Sequence, residues 1–291
     1  MRVLVAGATG ALGHEVVLAL LSRGHQVRAI GRSAERLARL GNAETRIVDV
    51  ENGDGLREAM TGVDAVFSSL GASVQPSLGR GRATYAKVDV PLNNHLIQAA
   101  IALGRPRFVY TSVFRAPDFP NVVYMRAHED VAALLRQSGL SHAVVRPTGF
   151  FSAYASFIEM AKKGPLPEMN AGAARTNPIH DGDLAQVCAD AIEGKTGDID
   201  AGGPEVLTRR QIGELAFAAA GKPPRFRQTP PWLISTASKL MKPFHPRIAD
   251  LADFLGVIMQ GDFVAPVHGQ RTLGAYFKEV GRKHAVTSVA R

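Results

Sequence analysis

Through the first half of the chain, short apolar runs alternate with stretches in which apolar side chains recur every three or four residues. A brief run of Val, Ile, Leu or Phe suits a strand buried on both faces, and the three-and-four spacing suits a helix laid against it. The pattern predicts strands over residues 2–6, 26–30, 45–48, 65–68, 107–110 and 142–145. The clearest helical spacing lies over 83–103 and 125–138. Strand and helix in strict alternation make βαβ units, so the expected fold class is α/β, a doubly wound parallel sheet.

The alternation breaks down after Arg146-Pro-Thr-Gly-Phe-Phe151, where segments rich in Gly, Pro and Met separate further helices. This change predicts a smaller, mostly helical C-terminal lobe made from residues 150–178 and 201–291. Residues 1–149 and 179–200 are expected to form the first domain, with 179–192 returning to it as a strand end and a helix. Near the C-terminus Trp232, Leu233, Ala237, Leu240 and Met241, and then Ile248, Leu251, Ala252, Leu255, Ile258 and Met259, fall at helical spacing. Two amphipathic helices follow, with core packing of the lobe as the plain reading and a membrane-contact or lid role as the other.

Composition narrows the function classes. A chain of 291 residues buries enough surface to fold without a staple. Its single cysteine, Cys188, excludes an internal disulfide and reads as core, on one helical face with Leu184, Val187, Ala191 and Ile192. The histidines show no metal-ligand spacing. The first residues run from a strand straight into a glycine loop without a signal-peptide pattern, which points to the cytoplasm. No run of about eighteen apolar residues predicts a spanning helix.

The net charge of +8 is concentrated in the tail, where residues 205–291 hold 13 Lys and Arg against 6 Asp and Glu. These cations are scattered without a nucleic-acid module, so nucleic acid is not the expected partner. A basic rim around an anionic cofactor or substrate, or a weak membrane-surface contact, accounts better for them. The expected partner is a small-molecule substrate; the oligomeric state is not legible.

Gly7-Ala-Thr-Gly-Ala-Leu-Gly13 follows the first strand directly and opens a helix. Glycines there allow a tight turn and close backbone approach to a pyrophosphate, while the helix N-terminus presents amides to it. Strand, triplet and helix within twenty residues identify a Rossmann-type dinucleotide site. The second strand ends in Ile30-Gly31-Arg32-Ser33, where an NAD enzyme usually places an acid to hold the ribose hydroxyls. A guanidinium at Arg32 and a hydroxyl at Ser33 instead suit a 2′-phosphate, which predicts NADP(H).

GATGALG, VRAIGRS, Asp49-Val50, YTSV at 110–113 and RPTGFF at 146–151 together resemble the short-chain dehydrogenase/reductase superfamily. Within it the chain looks like the atypical or extended branch of NmrA-like and divinyl-reductase-like proteins. The resemblance covers residues 1 to about 200 and continues more loosely through Gly202-Gly-Pro-Glu-Val-Leu-Thr208. It implies that Gly7, Thr9, Gly10, Ala11, Leu12 and Gly13 form the phosphate loop and that Arg32 and Ser33 take the 2′-phosphate. By the same resemblance Asp49 and Val50 flank the adenine, Ser69, Leu70 and Gly71 pass beside the ribose, and Pro147, Thr148, Gly149 and Phe150 lie beside the nicotinamide.

The superfamily's proton-transfer set is a Ser, a Tyr and a Lys four residues after the Tyr. Ser112 and Tyr124 stand at the first two positions, and His128 occupies the third. Lysine carries a permanent charge that lowers a phenol's pKa, whereas a histidine with a reference pKa near 6.5 is mostly neutral at pH 7. Three readings follow. Tyr124 donates the proton in an NADP(H)-dependent reduction of a small, hydrophobic carbonyl or enone, with Ser112 orienting the substrate and Arg115, Arg126 or Arg146 as candidate sources of the missing charge; another donor does so, with the nicotinamide still delivering hydride; or the protein binds NADP(H) without turnover, as a redox sensor or assembly protein. His180 and Asp181 stand where extended members fold the chain across the cleft, with a helix cap by Asp181 or Asp183 as the alternative. Phe150, Phe151 and Tyr154 are expected to roof an apolar substrate cleft.

Overall fold

The computed structural model describes residues 1–72 and 83–289. In chain order the elements are β1 (Arg2–Ala6), α1 (Ala11–Ser22), β2 (Gln26–Gly31), α2 (Ala34–Leu37), β3 (Glu44–Ile47), α3 (Leu56–Met60), β4 (Ala65–Ser68), α4 (Tyr85–Ala102), β5 (Arg107–Thr111), α5 (Val123–Gln137) and β6 (His142–Pro147). There follow α6 (Phe151–Tyr154), α7 (Ser156–Lys163), β7 (Leu166–Glu168), β8 (Arg175–Thr176), α8 (Asp181–Glu193) and β9 (Gly197–Ala201). The chain ends with β10 (Leu207–Thr208), α9 (Arg209–Ala219), β11 (Phe226–Gln228), α10 (Pro231–Met241), α11 (Pro246–Gln260) and α12 (Leu273–Val289). Two units emerge, one of Met1–Arg146 with Leu184–Asp200 and one of Pro147–Asp183 with Ala201–Arg291.

The first unit is built on a seven-stranded sheet in the order β3-β2-β1-β4-β5-β6-β9. The five ladders from β3 to β6 are parallel, with Val3 opposite both Val27 and Ala65 at the centre. The reversal of strand order between β1 and β4 is the switch point at which Rossmann-type sheets open a crevice at their carboxyl ends. On one face, Leu4, Val66, Phe108 and Val144 from the sheet pack with Leu96 and Ile97 of α4 and Val131 and Leu135 of α5. The central strands are buried throughout, as their unbroken apolar runs require.

Two elements depart from the expected pattern. Thr45, Arg46 and Ile47 of β3 are exposed, Ile47 by 67%, because β3 is an edge strand with one neighbour. The expectation that every early strand is buried on both faces fails there. β9 went unpredicted because Gly-Asp-Ile-Asp-Ala carries few apolar residues, of which Ile199 and Ala201 face inward.

The second unit is mostly helical, with two two-stranded ladders, β10-β8 and β11-β7. α9 starts at a capping box in which Thr208 Oγ1 accepts from Gln211 N–H and the Gln211 side chain accepts from Thr208 N–H, satisfying two otherwise orphaned amides. Its core gathers Phe151, Ile158, Leu166, Ile212, Phe217, Leu273 and Phe277. Phe151 is thus core packing of this unit and not the roof of a cleft. α10 corrects a second expectation: Trp232, Leu233, Ala237, Leu240 and Met241 are exposed rather than packed in the core, and Ser238 is its one fully buried position. Among the described residues no helix is long and apolar enough to cross a membrane.

Candidate functional site: a dinucleotide cradle and a buried tyrosine cluster

The turn from β1 into α1 is made by glycines whose side-chain positions are already filled by backbone. Gly7 has φ +86°, a conformation L side chains resist, and a Cβ there would meet Ser69 Oγ at 2.7 Å. A Cβ on Gly13 would stand 2.1 Å from the Gly7 carbonyl oxygen. The first turn of α1 therefore lies directly on the end of β1. Gly10 caps the helix without a side-chain hydrogen bond, so no side chain competes for the first-turn amides of Ala11, Leu12 and Gly13. Bare amides at the positive end of a helix, on glycines that admit close approach, fit a pyrophosphate.

The rim of this cradle is basic. Arg32 is exposed and pairs with no carboxylate among the described residues. Ser33 caps α2 by accepting from Arg36 N–H at 3.3 Å, a bond that leaves its own hydroxyl proton available to an anion. That cap turns Arg36 back onto the loop, where its guanidinium donates to the Thr9 carbonyl at 2.7 Å. Arg36 was not singled out from sequence; its place three residues after a capping serine was the available signal.

The neighbouring segments are pinned by polar groups. Asp49 closes a turn, accepting from Glu51 N–H at 3.0 Å and Asn52 Nδ2 at 3.1 Å, and the buried Val50 offers its carbonyl to His95 Nδ1 at 2.8 Å. Ser69 continues from β4 with its N–H on the Ala6 carbonyl. Leu70 and Gly71 are held by α4: Asn93 donates to the Leu70 carbonyl at 3.1 Å, and Asp89 accepts from Ala72 N–H at 2.6 Å. Asp89 and Asn93 are fully buried one turn apart on the apolar face of α4. Sequence reasoning missed both, although polar residues at core-facing helical positions are a usable signal.

Two of the proposed proton-transfer residues, Tyr124 and His128, meet in one aromatic cluster of this unit. Tyr124 packs edge-on against Tyr85 at 4.8 Å between ring centroids and against His128 at 4.7 Å. Ser112 follows β5, its N–H on the Val145 carbonyl, and its buried hydroxyl has no hydrogen-bond partner among the described residues. Burial, then the negative charge of Asp89 and the ring of Tyr85, push the Tyr124 phenol well above its usual range.

His128 is 8% exposed, and burial pushes its pKa down to about 4. Its Nδ1 lies 2.7 Å from the Tyr110 hydroxyl, itself raised by burial and by Asp89, so the phenol donates and the neutral ring accepts. At neutral pH His128 therefore carries no charge with which to acidify Tyr124. Arg115 is paired with Asp118, and Arg146 with Glu129 and Asp198. The buried Cys188 thiol is pushed up to about 12, which makes it unreactive packing.

His128 also gives the fold an acid limit. Its pKa is depressed in the folded state, so the unfolded chain binds the extra proton between about pH 6.5 and 4, and stability is lost as pH falls through that window. A loss on the order of 3 kcal/mol by pH 4 is expected from this ring. Denaturant midpoints measured from pH 7 to 4 should fall less in His128→Gln than in the parent; parallel curves would remove His128 as the cause.

In the second unit Pro147 ends β6, and Thr148, Gly149 and Phe150 follow it. Thr148 Oγ1 donates to the Asn177 carbonyl at 2.7 Å, and Phe150 bridges Ile179. Asp181 accepts from the Ser152 amide at 3.0 Å and from its hydroxyl, and Asp183 accepts from the amides of Gln270 and Arg271. Both carboxylates therefore tie the start of α8 to backbone amides remote in sequence. This unit also holds a narrow cleft of about 50 Å³, lined by Phe157, Leu166, Ile212, Phe226, Leu255 and Met259, with Tyr154, Arg209 and Glu168 among its polar lining. Arg209 donates to the Tyr154 hydroxyl at 3.1 Å, and Glu168, 2% exposed, accepts from Arg210 and Gln228.

Comparison with known proteins agrees with the cradle. The NAD(P)H-binding family model matches residues 7–195. The chain is 31% identical to the chloroplastic divinyl chlorophyllide a 8-vinyl-reductase of Oryza sativa subsp. indica, across 97% of this chain and 78% of that protein. It is 32% identical to the photosystem II assembly factor Ycf39 of Synechocystis, across 52% of this chain and 45% of that protein. Among solved structures, the NADPH-dependent quinone oxidoreductase QOR2 of Escherichia coli, complexed with NADPH, superposes with a TM-score of 0.72 at 20% identity, covering 96% of this chain and 99% of that one. With the glycine turn, the strand order and these likenesses together, the chain belongs to the NAD(P)H-binding family, in the atypical short-chain dehydrogenase/reductase branch of NmrA-like and divinyl-reductase-like proteins.

Proposed function

We propose that this protein is an NADP(H)-dependent reductase of a hydrophobic organic carbonyl or enone. The observation that carries the reading is the β1–α1 cradle with Arg32 and Arg36 on its rim, a bare helix N-terminus for the pyrophosphate and guanidinium groups for a 2′-phosphate. NADPH supplies the hydride when bound. Tyr124 serves as hydrogen-bond donor to the oxygen on which charge develops, and Ser112 orients that oxygen. A phenol held far above its usual pKa keeps its proton at every physiological pH, so its stabilisation comes through the hydrogen bond, with little complete transfer. The likeness to a vinyl-reductase favours a conjugated alkene over an isolated carbonyl.

The test is a panel of quinones, enones and vinyl-substituted macrocycles assayed for NADPH oxidation, followed by Tyr124→Phe on the best substrate. Removing one donor from a developing oxyanion lowers kcat by about a hundredfold, with NADPH affinity unchanged. An undiminished rate would take Tyr124 out of the mechanism.

A second reading, NADP(H) binding without turnover as in a sensor or assembly protein, is favoured by the uncharged His128 at the lysine position. The likeness of half the chain to an assembly factor points the same way. Tight NADPH binding with no oxidation across the whole panel would select it.

A further inference from the structure

The helix α10 and the turn after it present an apolar surface that the second unit leaves uncovered. Trp232 is 65% exposed, Leu240 69% and Phe244 72%, and Leu233 and Met241 are exposed beside them. Leu233, Ala237, Leu240 and Met241 recur at helical spacing, so they form one stripe along α10. Proline opens both α10 and α11, at Pro231 and Pro246, which sets the helical hairpin before any partner arrives.

Along the chain on either side of this stripe the charge has one sign. Between Glu214 and Asp250 the chain contains no acidic residue, while Lys222, Arg225, Arg227, Lys239, Lys242 and Arg247 are all cationic. Lys222, Arg225, Arg227, Lys239 and Lys242 are exposed. A second copy bringing the same charge would be repelled, and aliphatic side chains such as Leu240 gain little from the polar groove of a nucleic acid. Exposed Trp, Leu and Phe flanked by lysines match the interface of an anionic bilayer, where rings and aliphatic tips enter the headgroup layer and lysine stems reach back to the phosphates.

We propose that the α10–α11 hairpin docks the protein on anionic lipid surfaces, with Trp232, Leu240 and Phe244 inserted and Lys239 and Lys242 on the headgroups. The proposal stands on this surface alone and does not depend on the reductase reading. Trp232 is the only tryptophan in the chain, so its fluorescence reports this contact directly.

The full-length protein is mixed with phosphatidylcholine vesicles with or without about 30% phosphatidylglycerol, at about 0.1 M salt. Co-sedimentation and a blue shift of Trp232 emission are expected with the anionic vesicles only. Leu240→Ser with Phe244→Ser should abolish the shift, and Lys239→Glu with Lys242→Glu should weaken partitioning at least about tenfold. Unchanged NADPH affinity certifies that each variant is folded. Absence of sedimentation with anionic vesicles, or equal binding to neutral ones, overturns the proposal. So does a blue shift that grows with protein concentration without lipid, alongside a dimer by light scattering, which would assign the face to a second copy.

Discussion

Replacing Gly13 by alanine is expected to weaken NADPH binding by about a hundredfold or more and to lower the melting temperature by several degrees. The new Cβ would lie 2.1 Å from the Gly7 carbonyl oxygen and 2.9 Å from the Ala8 Cα, both backbone atoms without a rotamer to yield. The helix must therefore lift away from the strand, moving the first-turn amides off the pyrophosphate path. Forced overpacking of this kind costs about 1–3 kcal/mol in stability, and displaced phosphate donors subtract further from affinity. Gly24→Ala is the matched control. Its φ is +79° with open space around it, so it should lose about 1 kcal/mol of stability and leave cofactor affinity alone. Calorimetric titration with NADPH, alongside thermal melts, reads both quantities; equal affinity in Gly13→Ala and the parent would mean that the dinucleotide does not use this turn.

Arg32→Ala is expected to weaken NADPH by about 10- to 100-fold while leaving NADH unchanged, the range of one or two charge-assisted hydrogen bonds lost. Because Arg32 is exposed, the difference should shrink as salt rises. Arg36→Ala should behave differently. Its guanidinium holds the Thr9 carbonyl as well as facing the rim, so its loss loosens the loop and weakens both nucleotides. Affinities for the two cofactors at low and high salt separate the cases. A preference for NADH that Arg32→Ala does not alter would reject the 2′-phosphate assignment and with it the NADP(H) reading.

The pH response of the tyrosine cluster rests first on burial and then on the nearby Asp89 carboxylate. Burial keeps the Tyr110 and Tyr124 phenols protonated, and Asp89, held in place by the Ala72 amide, adds to it. In a reductase the proton held by Tyr124 faces no competition from ionisation, so the rate should lack a phenol-controlled alkaline limb below pH 10. His128 adds none above its own low pKa.

Much of the nucleotide domain can be read along the chain because its determinants are local. β1 and β4 run over the residues their apolar patterns mark, and the glycine loop stands between strand and helix as its spacing requires. Backbone conformation and close approach depend on residues a few positions apart, so glycine order alone encodes the turn. Strand boundaries elsewhere shift by one or two residues, where β5 and β6 run on into Thr111 and Pro147.

Long-range placement escaped the pattern. Asp89 beneath residues 70–72 and His128 against Tyr110 are meetings across 17 or 18 positions, made by helix register against a strand end. The apolar stripe of α10 reads in sequence like any core helix. Whether such a stripe meets a partner element or is left facing solvent depends on where the remaining helices pack, a sum of many contacts remote in sequence, and here they leave Trp232 and Leu240 outside.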